Sequence, residues 1–106
     1  MKKTLPRIDP RDLQARAGDV ADVLAALSND RRLLILCMLV EQREATVTSL
    51  AEAVGLSQSA LSQHLAKLRA ENIVSFRRDG QTLWYRIADP RIEGLLETLH
   101  KLYCQD

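Results

Sequence analysis

Two cysteines are the residues of this chain best suited to reversible chemistry. Cys37 lies within the apolar run LLILCMLV, and Cys104 lies in the closing stretch LHKLYCQD. In a reducing compartment such thiols are buried core residues, a reversible redox pair or ligands of a soft metal ion. Cys37 shares an apolar helical stripe with Leu36 and Val40. We therefore expect its sulfur inside the core or at its rim, with a raised pKa.

A second group of residues could exchange hydrogen bonds with a ligand. Between Gln58 and Glu71, leucines recur at helical spacing and predict an inward face. The opposite face carries small polar or basic side chains, namely Ser59, Ser62, Gln63 and Lys67, with Gln58 in the first turn. Such side chains can enter a DNA major groove and contact base edges. On an isolated helix a solvated face would be the more common interpretation, and only the neighbouring elements favour DNA.

Those neighbouring elements complete a winged helix-turn-helix. A short helix ends at Gly55, and Gly55-Leu56-Ser57 predicts a tight turn before the polar-faced helix. After Asn72 the apolar period changes to two, and Asp79-Gly80 between alternating segments predicts a β-hairpin. Three polar residues surround the tip of this hairpin: Arg77, Arg78 and Gln81. They would meet DNA phosphates or a minor groove, or else belong to an ordinary solvated turn.

Two longer helices flank this unit. The segment 11–27 and the segment after Pro90 each carry one apolar face, and the run at residues 33–40 is apolar on every side. That run predicts a central, buried helix. We therefore expect a mostly α fold with a β-hairpin wing, formed by a single domain over residues 11–106. Residues 1–10 are expected to be a mobile N-terminal arm.

Composition argues against several other classes of protein. The 106 residues, 46% of them hydrophobic, suffice for one core. The sequence has no signal peptide and no apolar run of membrane length, so we expect a cytoplasmic protein without membrane contact. No nucleophile, base and orienting acid are grouped, which argues against an enzyme. The formal charge of +1 does not decide about nucleic acid, since basic residues can be concentrated on one surface.

Three stretches together resemble the ArsR family of bacterial winged-helix repressors: LSNDRRLLIL, LSQSALSQHLAKLRAENIV and RRDGQTLWYRI. The resemblance covers nearly the whole chain. It implies a homodimer, joined through the first and last helices, that binds an inverted-repeat operator in double-stranded DNA and leaves it when an inducer binds. By matching positions, it also implies recognition-helix contacts from Gln58, Ser59, Ser62 and Gln63, and wing contacts from Arg77, Arg78 and Gln81.

Many members of this family sense metals, yet the ligand patterns of the family's metal sites are missing here. The helix VTSLAEAV has no paired cysteines, Asp89-Pro90-Arg91 offers no histidine, and Tyr103 stands three residues after His100. We therefore expect no resident metal and no cofactor. A soft-metal site built from the two thiols and His100 stays open as an alternative.

The surroundings of the two cysteines, LLILCML and LHKLYCQ, resemble a dithiol subgroup of the same family that responds to reactive sulfur species or oxidants. This resemblance implies that Cys37 and Cys104 become linked by a disulfide or a polysulfide, and that DNA affinity then falls. A disulfide requires Cα atoms within about 7 Å, whereas inserted sulfur atoms would span a wider gap. A winged-helix repressor with two inert cysteines is the remaining alternative.

Overall fold

The computed structural model describes residues 9–104 and confirms a mostly helical fold with a β-hairpin wing. The elements, in chain order, are α1 (Pro10–Leu27), α2 (Asp30–Gln42), β1 (Ala45–Thr46), α3 (Val47–Val54), α4 (Gln58–Ala70), β2 (Val74–Asp79), β3 (Thr82–Ile87) and α5 (Pro90–Tyr103). The expected mobile arm lies outside the described residues except for Asp9 and Pro10, which cap and begin α1. No helix within residues 9–104 combines the length and apolarity needed to cross a membrane.

Polar side chains fix the residues at which the helices begin. At the start of α2, Asn29 Oδ1 accepts hydrogen bonds from the backbone N–H groups of Arg31 and Arg32, at 3.0 and 3.2 Å. At the start of α4, Ser57 Oγ accepts from the N–H of Ala60 at 3.1 Å. Each such cap contributes about 1 kcal/mol, because it satisfies a donor that has no partner within the helix.

Helix α2 lies at the centre of the core. Its Ile35, Leu36 and Leu39 are almost completely buried, and the helix packs against α1, α3, α5 and β3. The prediction that α2 is buried on every side is nevertheless wrong on one side, where Leu34 keeps 48% of its surface exposed and Cys37 is also exposed. The neighbouring elements cover only part of the helix. Some side chains of its apolar run are therefore left uncovered by the described residues.

The hairpin of β2 and β3, which we call the wing, is the larger part of a three-stranded antiparallel sheet in the order β1-β3-β2. Its register pairs Val74 with Ile87 at one end and Asp79 with Thr82 at the tip, where Gly80 has a φ of 63°. Strand β1 was not predicted from the sequence. It has only two residues, and it exists because Ala45 pairs with Tyr85 of the wing.

The conformation of Gly55 generates a stability prediction. This residue ends α3 with a φ of 71°, a region in which a Cβ atom is strained. We expect Gly55→Ala to lower the free energy of unfolding by about 1 kcal/mol. Urea denaturation at fixed protein concentration measures the change.

Gly94→Ala is the matched control, because Gly94 lies inside α5 and a Cβ there would meet no atom within 4 Å. Alanine is the better helix former, so this variant should gain about 0.5–1 kcal/mol. Equal effects of the two substitutions would contradict the assignment of strain to Gly55.

Candidate functional site

The turn between α3 and α4 fixes the orientation of the polar-faced helix. Gly55 adopts a left-handed conformation, and the N–H of Leu56 donates to the carbonyl of Ala51 at 3.0 Å. From α2, Arg31 Nη1 donates to the carbonyl of Val54 at 2.9 Å, so the end of α3 is also tied to the core helix. The inner face of α4 is fully buried through Leu61, Leu65 and Leu68. Its outer face is therefore held in one direction by packing.

All five residues predicted for the DNA-facing side of α4 are exposed: Gln58, Ser59, Ser62, Gln63 and Lys67. Gln58 Nε2 donates to Thr48 Oγ1 at 3.2 Å, and the hydroxyls of Ser57 and Ser59 lie 3.3 Å apart. These contacts position the first turn of α4 before any ligand arrives. Thr48, in the first turn of α3, was not among the predicted residues, because only the tertiary arrangement brings it beside Gln58.

Lys67 lies apart from the other four residues. It is near the C-terminal end of α4, and it lines a depression of about 690 Å³ together with Asp19, Glu71 and Arg91. The position is still on the exposed side of the helix. If α4 binds DNA, the charge of Lys67 therefore acts at one point along the duplex, and the serines at the N-terminal end of α4 act at another.

The wing presents its predicted residues in two different environments. Arg78 and Gln81 are exposed, and no ion pair of Arg78 occurs within residues 9–104. Arg77 instead binds Glu44 through two hydrogen bonds, from Nε to Oε2 at 2.9 Å and from Nη2 to Oε1 at 3.0 Å. Adjacent residues of a strand face opposite sides of the sheet, so Arg77 and Arg78 point away from each other.

The ion pair between Arg77 and Glu44 changes the acidity of both groups. The hydrogen bonds from Arg77 lower the pKa of the Glu44 carboxyl, although partial desolvation opposes this effect. The same bonds raise the pKa of Arg77. The Arg77 guanidinium also lies 5.5 Å from the centre of the Trp84 ring, within the range of a cation–π contact. Both members of the pair are therefore ionised at neutral pH.

The two cysteines are both exposed, so the Cys37 sulfur does not lie inside the core. A groove of about 560 Å³ between α2 and α5 is lined by Cys37, Leu96, His100 and Lys101 among others. Cys104 caps the end of α5, where its N–H donates to the carbonyl of His100 at 2.9 Å. The exposed side of α2 therefore carries one thiol, and the C-terminal end of α5 carries the other.

Electrostatics connects the two thiols. Partial burial raises the pKa of Cys37, as the sequence predicted, and the negative charge of an ionised Cys104 raises it further. No three His, Cys, Asp or Glu side chains are grouped so as to hold a metal ion in the part of the chain that the structure describes.

The chain is similar to several bacterial regulators. The family model described as "Bacterial regulatory protein, arsR family" matches residues 29–75. The transcriptional activator HlyU of Vibrio cholerae is 41% identical over 95 residues, which cover 90% of this chain and 87% of HlyU. The structure of reduced HlyU from Vibrio cholerae N16961 matches with a TM-score of 0.82 at 41% identity and covers 90% of this chain and 99% of that one.

Two further solved structures are similar over almost their full length. The transcriptional repressor BigR from Xylella fastidiosa has a TM-score of 0.86 at 34% identity, with 93% of this chain and 100% of BigR covered. The AntR antimony-specific transcriptional repressor has a TM-score of 0.82 at 36% identity, with 96% of this chain and 94% of AntR covered.

The interaction between the thiols generates a prediction for thiol reactivity. In Cys104→Ser, the negative charge near Cys37 is removed while its partial burial remains. We therefore expect the pH midpoint of Cys37 alkylation to fall toward, without reaching, that of an exposed thiol. The rate of iodoacetamide labelling against pH, followed by intact mass, measures this midpoint.

Gln42→Ala is the control, since Gln42 is an exposed residue of α2, the helix that carries Cys37, and has no charge. It should leave the alkylation profile unchanged. An unchanged midpoint in Cys104→Ser would mean that the two sulfur atoms are too far apart to interact.

Proposed function

Because the chain belongs to the ArsR family of bacterial transcriptional regulators, we propose that it represses transcription as a homodimer bound to an inverted-repeat operator. Family membership confirms the prediction of a DNA-binding regulator rather than an enzyme. We further infer that reactive sulfur species release the operator by linking Cys37 to Cys104. The observation that supports this inference is that Cys37 lines the groove between α2 and α5, while Cys104 ends α5 and its charge raises the pKa of Cys37.

The exposed outer face of α4 supports major-groove recognition. Serine and glutamine side chains are short enough to approach base edges and can both donate and accept hydrogen bonds. We assign this role to Gln58, Ser59, Ser62 and Gln63, and we assign phosphate or outer-groove contacts to Lys67, Arg78 and Gln81. Arg77 differs from the other wing residues because Glu44 already occupies its guanidinium.

Uncovered apolar surface on α1 and α5 supports the dimer. Leu13, Val20 and Leu24 of α1 expose between 40% and 53% of their surface, and Leu102 of α5 exposes 70%. A depression of about 640 Å³ between the two helices is lined by five apolar residues, among them Leu13, Val20 and Leu95, and by six charged ones. Contiguous apolar surface of this kind marks a protein interface in a water-soluble chain. A second copy of the chain would cover it, as the family resemblance implies.

The sulfur chemistry balances with an organic persulfide as the oxidant. A cysteine thiolate attacks the sulfane sulfur of the persulfide, which forms a protein persulfide and releases the organic thiol. The second cysteine then attacks the inner sulfur of this persulfide, the Sγ of the first cysteine, which closes a disulfide and releases hydrogen sulfide. If both cysteines are first persulfidated, the same attack closes a trisulfide and again releases hydrogen sulfide. In either route both thiols are oxidised and one sulfane sulfur is reduced to hydrogen sulfide.

A bridge between the thiols would affect DNA binding through the dimer. It would tie α2 to α5, and α5 is one of the two helices assigned to the dimer interface. A change in the contact of α2 with α5 would then alter the angle between the two α4 helices. Half-sites on DNA are about 10 base pairs apart, so a small rotation misplaces both helices together.

The similarity to AntR favours a second candidate function, which is response to a soft metal or metalloid. Two thiols supply soft ligands of the required type. The absence of a third grouped ligand within residues 9–104 leaves such a site incomplete in one protomer. Titration with antimonite, followed by thiolate absorbance, separates this candidate from a sulfur response.

The exposure of Arg78 generates a prediction for DNA binding. We expect Arg78→Ala to weaken binding to operator and unrelated duplexes alike and to reduce the salt slope, the dependence of log K on log salt concentration, by about one unit. The loss of one phosphate contact releases one counterion fewer. Fluorescence anisotropy at several salt concentrations measures the slope.

Arg11→Ala is the charge-matched control, because Arg11 lies in the first turn of α1, which is not one of the proposed DNA-binding elements. It should leave the slope unchanged. An unchanged slope in Arg78→Ala would remove Arg78 from the phosphate contacts.

The thiol pair generates a prediction for induction. A persulfide should convert the reduced protein to a species that has lost two hydrogen atoms, with or without an added sulfur atom, and should weaken operator binding at least about tenfold, or 1.4 kcal/mol. Cys37→Ser and Cys104→Ser should form no bridge and should retain the operator. Intact mass and anisotropy on the same samples measure both effects. Release of the operator from either variant would refute the bridge mechanism.

A further inference from the structure

The pair of Glu44 and Arg77 joins the end of α2 to β2, the strand of the wing that does not pair with β1. Glu44 follows α2 by two residues and immediately precedes β1. Its backbone is held on both sides, since its N–H donates to the carbonyl of Gln42 at 2.8 Å and Ala45 pairs with Tyr85. Arg77 lies in the middle of β2. Two parallel hydrogen bonds give the pair a defined orientation, which a single bond would not.

The Arg77 side chain also contacts the second strand of the wing. Its guanidinium lies 5.5 Å from the ring centre of Trp84, and Trp84 is the residue paired with Arg77 across the hairpin. The ring is partly buried, whereas the tip of the wing is exposed. One side chain thus contacts both strands of the wing and the segment after α2. The contact of β2 with α4, which includes Arg69 stacked at 4.3 Å from the Phe76 ring, holds the wing from its other face.

We propose that Glu44 and Arg77 are positioning residues, which hold the wing on the end of α2 in the orientation that brings Arg78 to DNA. Arg77 itself is then not a phosphate contact, in contrast to the role that the family resemblance implies for it. This inference rests on the proposed DNA-binding function and assigns a different role to one of its residues.

Glu44→Gln separates the two roles because they predict opposite changes. Removal of a carboxylate near DNA strengthens binding if charge alone matters. Removal of a positioning contact weakens binding, and we expect a loss of about threefold in operator affinity with the salt slope unchanged. Glu52→Gln is the matched control, since it removes the same charge from an exposed position on α3, where no hydrogen bond or ion pair of Glu52 occurs in the described range. It should bind operator at least as tightly as the unaltered protein.

Arg77→Lys provides the complementary arm. Lysine keeps the charge for a phosphate but cannot form the two parallel hydrogen bonds. Positioning therefore predicts the same loss of about threefold, and the double variant with Glu44→Gln should be no weaker than either single variant. Three outcomes would overturn the proposal. Arg77→Lys could leave operator affinity unchanged, or Glu44→Gln could leave it unchanged or raise it. The losses of the two single variants could also add in the double variant.

Trp84 supplies a readout that does not depend on DNA. It is the only tryptophan of the chain, so its emission reports on the wing and on β1, whose Thr46 pairs with it. Both Glu44→Gln and Arg77→Lys should shift this emission in the DNA-free protein, whereas Glu52→Gln should not. An unchanged emission in both variants would overturn the proposal. Failure of the unaltered protein to bind any operator would instead refute the proposed function, and the emission would still decide whether the pair orders the wing.

Discussion

The packing of α2 in the middle of the core is the constraint on which the rest of the structure depends. Ile35, Leu36 and Leu39 have almost no exposed surface, and protein interiors are packed too densely for one helix to shift without moving its neighbours. The start of α2 holds the end of α3 through Arg31, and the segment after it holds the wing through Glu44. The side that remains uncovered carries Cys37. The proposed sensor and both proposed DNA-binding elements are therefore attached to a single rigid body.

Local signals predicted the elements that local chemistry determines. Leucines at helical spacing identified the inner face of α4, and Asp79-Gly80 identified the hairpin, because helix periodicity and turn geometry are set by neighbouring residues. Strand β1 escaped prediction because two residues carry no period. Its existence depends on pairing with a strand almost 40 residues later in the chain. The exposure of Leu34 escaped prediction for a related reason, since apolarity shows which surface needs cover but not whether the same chain provides it.

The residues of the candidate site likewise include some whose environment the sequence predicted and others whose environment it did not. Exposure of Ser59, Ser62 and Gln63 followed from the period of α4, and their contact with DNA stays a prediction. Strand alternation places Arg77 and Arg78 on opposite faces of the wing, but it does not show that one of them is bound by a carboxylate 33 residues away. A long-range partner of this kind leaves no trace in local sequence. Resemblance to a family identifies the positions of a site, whereas the contacts of each side chain decide its role at that position.

The environment of Cys37 bears on which of the two cysteines would react first in the proposed sulfur chemistry. A thiol with a raised pKa is mostly protonated at neutral pH and reacts slowly with dilute oxidants in solution, because the thiolate is the nucleophile. Proximity can compensate for this low thiolate fraction, since a group held beside its target reacts as if at very high concentration. In the proposed mechanism Cys37 is therefore better suited to the second step, attack on the Sγ of a persulfidated Cys104 with release of hydrogen sulfide, than to the first. Closure of the proposed bridge would then depend on how the fold brings Cys37, in the groove between α2 and α5, to the modified Cys104 at the end of α5.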